Sequence, residues 1–323
     1  MKTILGFGSL NLDLIFEVED LKSQGLRLSP GKASFGSQEE FESLLNRLKR
    51  YGTLRSRSGG GSAANTVVAL ARMGFSTRLI GKIGADETGD FLLENLRPVQ
   101  MDWIRRGQKS GVCLVVLDHR RDRFLFIQGN ANSTLTADEI NFDALQDISW
   151  LHLTSFIGES PLEAQKALLN HLHSSVKVSM DPGEIYAKKG LDKIRPLLRR
   201  CHLLFLTERE VGLLTHQDLL TGIESLRKAG PSVVVCKKGG RGSRIFTEKG
   251  DFEIPARQVD VVDNTGAGDV YNAGFLAGLF LERSLEESAH FGTLIAAKSL
   301  TGYGREQYPT REDMEKFFQI RRP

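Results

Sequence analysis

The sequence predicts an α/β protein: a doubly wound, mainly parallel sheet with helices on both faces, plus a small second β-sheet. Three observations predict it. Short β-rich runs alternate with longer segments of helical period, two glycine-rich stretches each open a helix, and one antiparallel hairpin interrupts the alternation. A chain of 323 residues can hold one large α/β domain, and residues 1–323 are read as one.

Met1 and Lys2 precede an apolar stretch that Asn11 and Asp13 interrupt, with no small-residue cleavage site. Residues 4–8 therefore read as a first strand and not as a signal peptide. Residues 12–18 alternate weakly. A polar loop from residue 29 leads to a helix over 38–51, with Phe41, Leu44, Leu45 and Leu48 on one face. Gly59-Gly60-Gly61-Ser62-Ala63-Ala64-Asn65 reads as a loop opening a helix that ends at Gly74.

Further strands are expected at 77–83, 150–153, 176–180, 203–206 and 233–236. Helices are expected at 87–96, 162–174, 191–199 and 217–228. Residues 112–117 and 123–128, joined by His119-Arg120-Arg121-Asp122, form a hairpin to which 12–18 can pair. Ligands of such sheets bind beyond the carboxyl ends of the strands, so both glycine-rich loops can meet on one edge although about 200 residues separate them.

Lys and Arg number 43 and Asp and Glu 40, a net charge of +3 that gives no electrostatic case for nucleic acid. The basic clusters at 195–200 and 321–322 are short and read as solvated surface. Cys113, Cys201 and Cys236 are scattered without metal-ligand spacing, which suits a reducing cytoplasm. No run of about 18 apolar residues occurs, so no membrane span is expected.

Asp263-Asn264-Thr265-Gly266-Ala267-Gly268-Asp269 carries the most chemistry. It precedes an apolar run over 270–281 that reads as a buried helix, so its backbone N–H groups form an anion site at a helix N-terminus. A carboxylate there repels phosphate. It makes sense as a base that takes a proton from a hydroxyl while the N–H groups hold the charge on a transferred phosphoryl group. A tight turn followed by a first-turn acid is the plainer reading of the same residues.

The two motifs GGSAAN and DNTGAGD, in this order, resemble the signatures of the ribokinase-like (PfkB-type) sugar and nucleoside kinases. The resemblance spans residues 6–309. It implies Asp269 as catalytic base and Gly266, Ala267 and Gly268 as anion hole. It implies Asp13, Gly60, Gly61 and Asn65 as acceptor-binding residues, and Lys237, Gly239, Gly242 and Thr293 on the nucleotide side. ATP and Mg2+ are the implied cofactors. Glu210 would organise magnesium through water, although Thr207 stands where family members commonly carry asparagine. Asp263, Thr265, Ser299 and Gly304 match positions that bind K+ in some members, with Tyr308 and Gly302 departing from the pattern.

The resemblance also implies a lid built from 12–18 and 112–128 and used in a homodimer, since a two-stranded flap has no second layer to bury two apolar faces. A small sugar is the expected acceptor. The longer segment over 29–57 resembles the adenosine-kinase branch and keeps a nucleoside as the alternative. A purine needs stacking surfaces, and Phe16, Phe35, Phe124 and Phe126 lie in suitable segments. A non-catalytic sugar sensor would not need Asp269. A Rossmann dehydrogenase lacks its third glycine, because Gly6-Phe7-Gly8 is followed by Asn11.

Overall fold

Strand β1 (Thr3–Phe7) is buried along its whole length, with Leu5 and Phe7 in one apolar layer and Ile4 in the other. That two-sided burial is what a strand inside a doubly covered parallel sheet requires. The computed structural model describes residues 3–22, 26, 28, 33–145 and 147–320. Residues 1–2, 29–32 and 321–322, on which parts of the sequence reading fall, lie outside them.

After β1 come β2 (Asn11–Glu17), β3 (Ala33–Ser34), α1 (Gln38–Tyr51), β4 (Thr53–Gly60) and α2 (Ser62–Arg72). β5 (Ser76–Gly84), α3 (Glu87–Leu96), β6 (Ile104–Gly107), β7 (Gly111–Leu117) and β8 (Arg123–Gln128) follow. The chain continues through β9 (Ile148–Thr154), α4 (Glu159–His171), β10 (Lys177–Asp181), α5 (Gly183–Ala187), α6 (Leu191–Leu198) and β11 (Leu203–Thr207). It then forms α7 (Glu208–Thr215), α8 (Leu219–Lys228), β12 (Val233–Lys237), β13 (Ser243–Thr247) and β14 (Gly250–Ile254). Helices α9 (Ala267–Phe280), α10 (Leu285–Ser299) and α11 (Arg311–Phe317) close the chain.

Among the described residues the main sheet has nine strands in the order β14-β13-β12-β11-β10-β9-β1-β5-β6. The row from β12 to β6 pairs parallel throughout, and the hairpin β13–β14 adds two antiparallel strands at one edge. Alternate residues feed two cores: Leu204 and Leu206 pack with α4, α6, α7 and α8, while Leu203 and Phe205 pack with α2, α9 and α10. Helix α9 is apolar all round because α2, α10 and the sheet enclose it.

The expected strands and helices stand within a few residues of their places, and α1 and α3 have the expected bounds. β3, β4, β6, β13 and β14 were not expected. Gly59 and Gly60, read as loop, are the last residues of β4. The sequence TLRSRSGG shows no apolar alternation because the first five residues of that strand are exposed or half-buried.

The second sheet has the order β3-β8-β7-β2-β4, and β2 does pair with the hairpin, parallel to β7. Its two faces have different partners. Phe16, Leu114, Val116, Phe124 and Phe126 pack with Phe41, Leu44 and Leu48 of α1. Ile15, Cys113, Val115 and Leu117 form the other face with Leu125, Ile127 and Tyr303. Helix α1 is fixed by a capping box between Ser37 and Glu40. The apolar face expected to meet a dimer partner thus packs against the chain's own helix α1.

Candidate active site

The parallel strands β10, β11 and β12 end at Asp181, Thr207 and Lys237, with Thr207 and Lys237 in register. This carboxyl edge faces the start of α9. Asp181 Oδ2 accepts hydrogen bonds from Lys237 Nζ at 2.5 Å and from Asn272 Nδ2 at 2.7 Å. Burial opposes both charges, but Asp181 and Glu210 hold the Lys237 ammonium above its ordinary pKa. Burial is likewise outweighed at Asp181, where Lys237 and Asn272 keep the carboxyl below the usual range. The pair is charged.

Gly266 caps α9 at φ +75°, a left-handed conformation that glycine adopts freely. A side chain there would also meet the Tyr308 hydroxyl, at 2.8 Å from the position of its Cβ. The following N–H groups open the helix without intrahelical acceptors. A Cβ on Gly268 would lie 3.2 Å from Lys237 Nζ, so the ammonium sits against the first turn of α9. Asp269, in the first turn of α9, accepts a hydrogen bond from Asn65 Nδ2 at 2.9 Å. Burial raises its pKa from 3.8 to about 7 and Asp181 adds to the rise, against Asn65, Lys237 and Arg123. A base with that value is matched to neutral pH.

Asp13 comes from β2, opposite Cys113 of β7 and Ser58 of β4, on the face it shares with Ile15. Its carboxyl lies over Gly60 so closely that any side chain there would collide with it. Gly61, at φ +101°, would drive a Cβ into the Ser9 carbonyl. Burial lifts the Asp13 pKa to about 7, countered by Arg305 and Arg123 and reinforced by Asp263 and Asp269. Arg123, at the start of β8, donates from Nη1 to the Asn264 carbonyl at 3.2 Å and so ties the second sheet to the loop before α9.

The structure brings Asp13, Gly60, Gly61, Asn65, Gly266, Ala267, Gly268, Asp269 and Lys237 together at the start of α9. Other expected residues have structural work that explains them. Thr207 and Glu210 form a capping box, Thr207 N donating to Glu210 Oε2 at 2.7 Å. That box accounts for the spacing read as a magnesium signal. Burial and the neighbouring Asp181 raise the Glu210 pKa to about 7 against the pull of Lys237, so its carboxyl still faces the Asp181–Lys237 pair. Gly239 and Gly242, at φ +58° and +90°, turn the chain from β12 into β13. The Thr293 hydroxyl on α10 is buried without a hydrogen-bond partner among the described residues.

Around the expected cation position, Asp263 accepts from Thr265 N at 2.8 Å and from Gly304 N at 3.0 Å. Ser299 Oγ donates to the Ala296 carbonyl at 2.8 Å. Both Asp263 oxygens thus brace the loop, and a monovalent ion beside it would rest mainly on backbone carbonyls. No cluster of three or more His, Cys, Asp and Glu side chains able to hold a metal occurs among the described residues. No described helix is long and apolar enough to cross a membrane.

Phe16, Phe124 and Phe126 pack toward α1, and Phe35 is exposed beside that helix. None of the four expected stacking aromatics belongs to the face that carries Asp13. Sequence reasoning missed Asp181, Arg123 and Arg305. Only the position of Asp181 at a strand end could have flagged it.

Comparison with known proteins gives the family. The family profile of pfkB family carbohydrate kinases matches residues 38–311. An uncharacterized sugar kinase of Archaeoglobus fulgidus is 35% identical over 76% of this chain and 100% of its own length. An ATP-dependent ribose-1-phosphate kinase of Halopiger xanaduensis is 26% identical over 99% of both chains. The crystal structure of adenosine kinase from Sinorhizobium meliloti superposes with a TM-score of 0.88 at 20% identity, covering 98% of each chain, which shows the shared fold. A ribokinase-like fold, a profile match over most of the sequence and a relative 35% identical over its whole length have one common meaning: this chain belongs to the pfkB family of carbohydrate kinases.

Proposed function

We propose that the protein transfers the γ-phosphoryl group of ATP to a primary hydroxyl of a small sugar. The observation that carries this reading is Asp269, raised to about 7, at the mouth of α9 with Lys237 against the same N–H groups. Asp269 takes the hydroxyl proton as the sugar oxygen forms its bond to the γ-phosphorus. The bond from that phosphorus to the bridging oxygen of ADP breaks. Gly266, Ala267 and Gly268 N–H groups and the Lys237 ammonium hold the negative charge of the moving group. Gly239, Gly242 and Thr293 lie on the nucleotide side. Magnesium, when bound, neutralises phosphate charge, with Glu210 as the carboxylate to hold it through water.

The second sheet serves as the lid, its inner face carrying Asp13 to the acceptor. A carboxylate suits vicinal hydroxyls because each oxygen can accept an O–H. A sugar is favoured over a nucleoside because Tyr303 is the single aromatic in the apolar cluster of the inner face among the described residues. An ATP-consumption screen over pentoses, hexoses, keto-sugars, pentose phosphates and nucleosides tests the reading. Turnover dependent on one sugar class supports it; turnover with nucleosides alone replaces it, and none with any acceptor defeats it.

Asp13→Ala should raise the acceptor KM with little change in that of ATP, because each charge-assisted hydrogen bond to the sugar is worth roughly 1.5–3 kcal/mol. Steady-state kinetics with each substrate varied decides it; a selective ATP defect would refute the placement of Asp13. Asp263, Thr265, Ser299 and Gly304 are proposed to frame a K+ site. Rates in K+ should then exceed those in Na+ at equal ionic strength, and identical rates would remove the site.

A further inference from the structure

Arg305 is 6% exposed, yet it belongs to no ion pair among the described residues. Its Nε donates to Asn65 Oδ1 at 3.1 Å and its Nη1 to the Asn95 carbonyl at 2.9 Å. Nη2 finds no hydrogen-bond partner, and the Arg305 carbonyl accepts from Arg72 Nη1 at 2.7 Å. Its charge acts on Asp13 and Tyr308 without a salt bridge to either, which offsets only part of the cost of burying a cation. The specific hydrogen bonds of the guanidinium therefore need an explanation besides packing.

Asn65 supplies one. An arginine side chain can only donate, so the amide must turn its oxygen to Arg305 and its NH2 to Asp269. The terminal torsion of asparagine is broad and roughly two-fold, so nothing in Asn65 itself selects this orientation. Turned the other way, its oxygen would face the Asp269 carboxylate.

We infer that Arg305 is a positioning residue for phosphoryl transfer, acting through Asn65 to hold one oxygen of Asp269 and leave the other for the acceptor hydroxyl. It touches neither Asp269 nor the transferred group. The inference rests on Asp269 being the base.

The test is a double-mutant cycle on kcat with the accepted sugar. Arg305→Met should lower kcat roughly tenfold with the ATP KM within about twofold of the parent, a coupling of the size contacting residues show. In an Asn65→Ala background the same substitution should change kcat less than about twofold, because the relay is already cut. An equal loss in both backgrounds, or no loss in either, overturns the inference. Should the Met variant fail to fold by circular dichroism, Arg305→Lys runs the same cycle, since it keeps the cation and gives up the planar fork. Failure of the functional reading is distinct from these outcomes, because it shows as parent-like turnover in Asp269→Asn.

Discussion

Asp269→Asn is expected to lose roughly 10²- to 10⁴-fold in kcat, the usual cost of removing a general base. Asparagine keeps the shape and can still accept the Asn65 hydrogen bond, but it cannot take a proton. The same substitution should raise thermal stability above pH 7. The parent's Asp269 has a pKa of about 7 in the folded protein against 3.8 as the ordinary value. Between those two the folded state binds more protons than the unfolded one, so this group's contribution makes stability fall as pH rises from about 4 to about 7 and then level off. The variant escapes that fall, a gain of at most about 4 kcal/mol. The two proteins should converge near pH 4. Turnover close to the parent's would remove Asp269 from the mechanism; a variant no more stable at pH 8 than at pH 4, relative to the parent, would show that burial does not strain its charge.

Lys237→Met should damage both folding and turnover, by separable routes. Asp181 would remain buried with only the Asn272 amide and the Gly183 N–H, both uncharged, and breaking a buried pair by removing one partner costs about 3–5 kcal/mol. Adding Asp181→Asn removes the stranded charge and should recover most of the lost melting temperature. It should not recover turnover, because the ammonium against Gly268 is absent from both variants. Loss of one donor from an anion hole costs roughly 10²- to 10³-fold in kcat. Thermal melts and single-turnover rates on the single and double variants check both parts. A double variant that regains kcat along with stability would assign Lys237 to scaffolding alone.

The legible part of this protein was the part encoded locally. α1 shows itself through Phe41, Leu44 and Leu48 and a serine three residues before a glutamate. The anion hole shows itself because Gly266, Ala267, Gly268 and Asp269 are consecutive. At Thr207 and Glu210 the same spacing serves a helix cap, so local sequence alone does not separate a cap from a metal motif there. Asp181, Arg123 and Arg305 were invisible for the opposite reason. Each is a single residue delivered by topology from a strand end or loop, with no neighbours in sequence to announce it. The packing of α1 on the second sheet was not legible because the helix lies in the longer segment over 29–57, far in sequence from the hairpin it covers.

That cover bears on how the second sheet moves. A bare two-stranded flap bends along its length, and each substrate contact it makes must be ordered separately, at the cost of backbone entropy for every residue fixed. With α1 packed on it, the sheet has a small core of its own containing Phe16, Leu114, Phe124 and Leu48. Asp13 and Arg123 both sit on strands of this two-layered unit, whose pairing fixes their spacing. If the second sheet closes as the proposed lid, it would then spend only the few rotational freedoms of a stiff body. More of the affinity gained from each acceptor hydroxyl would survive as binding.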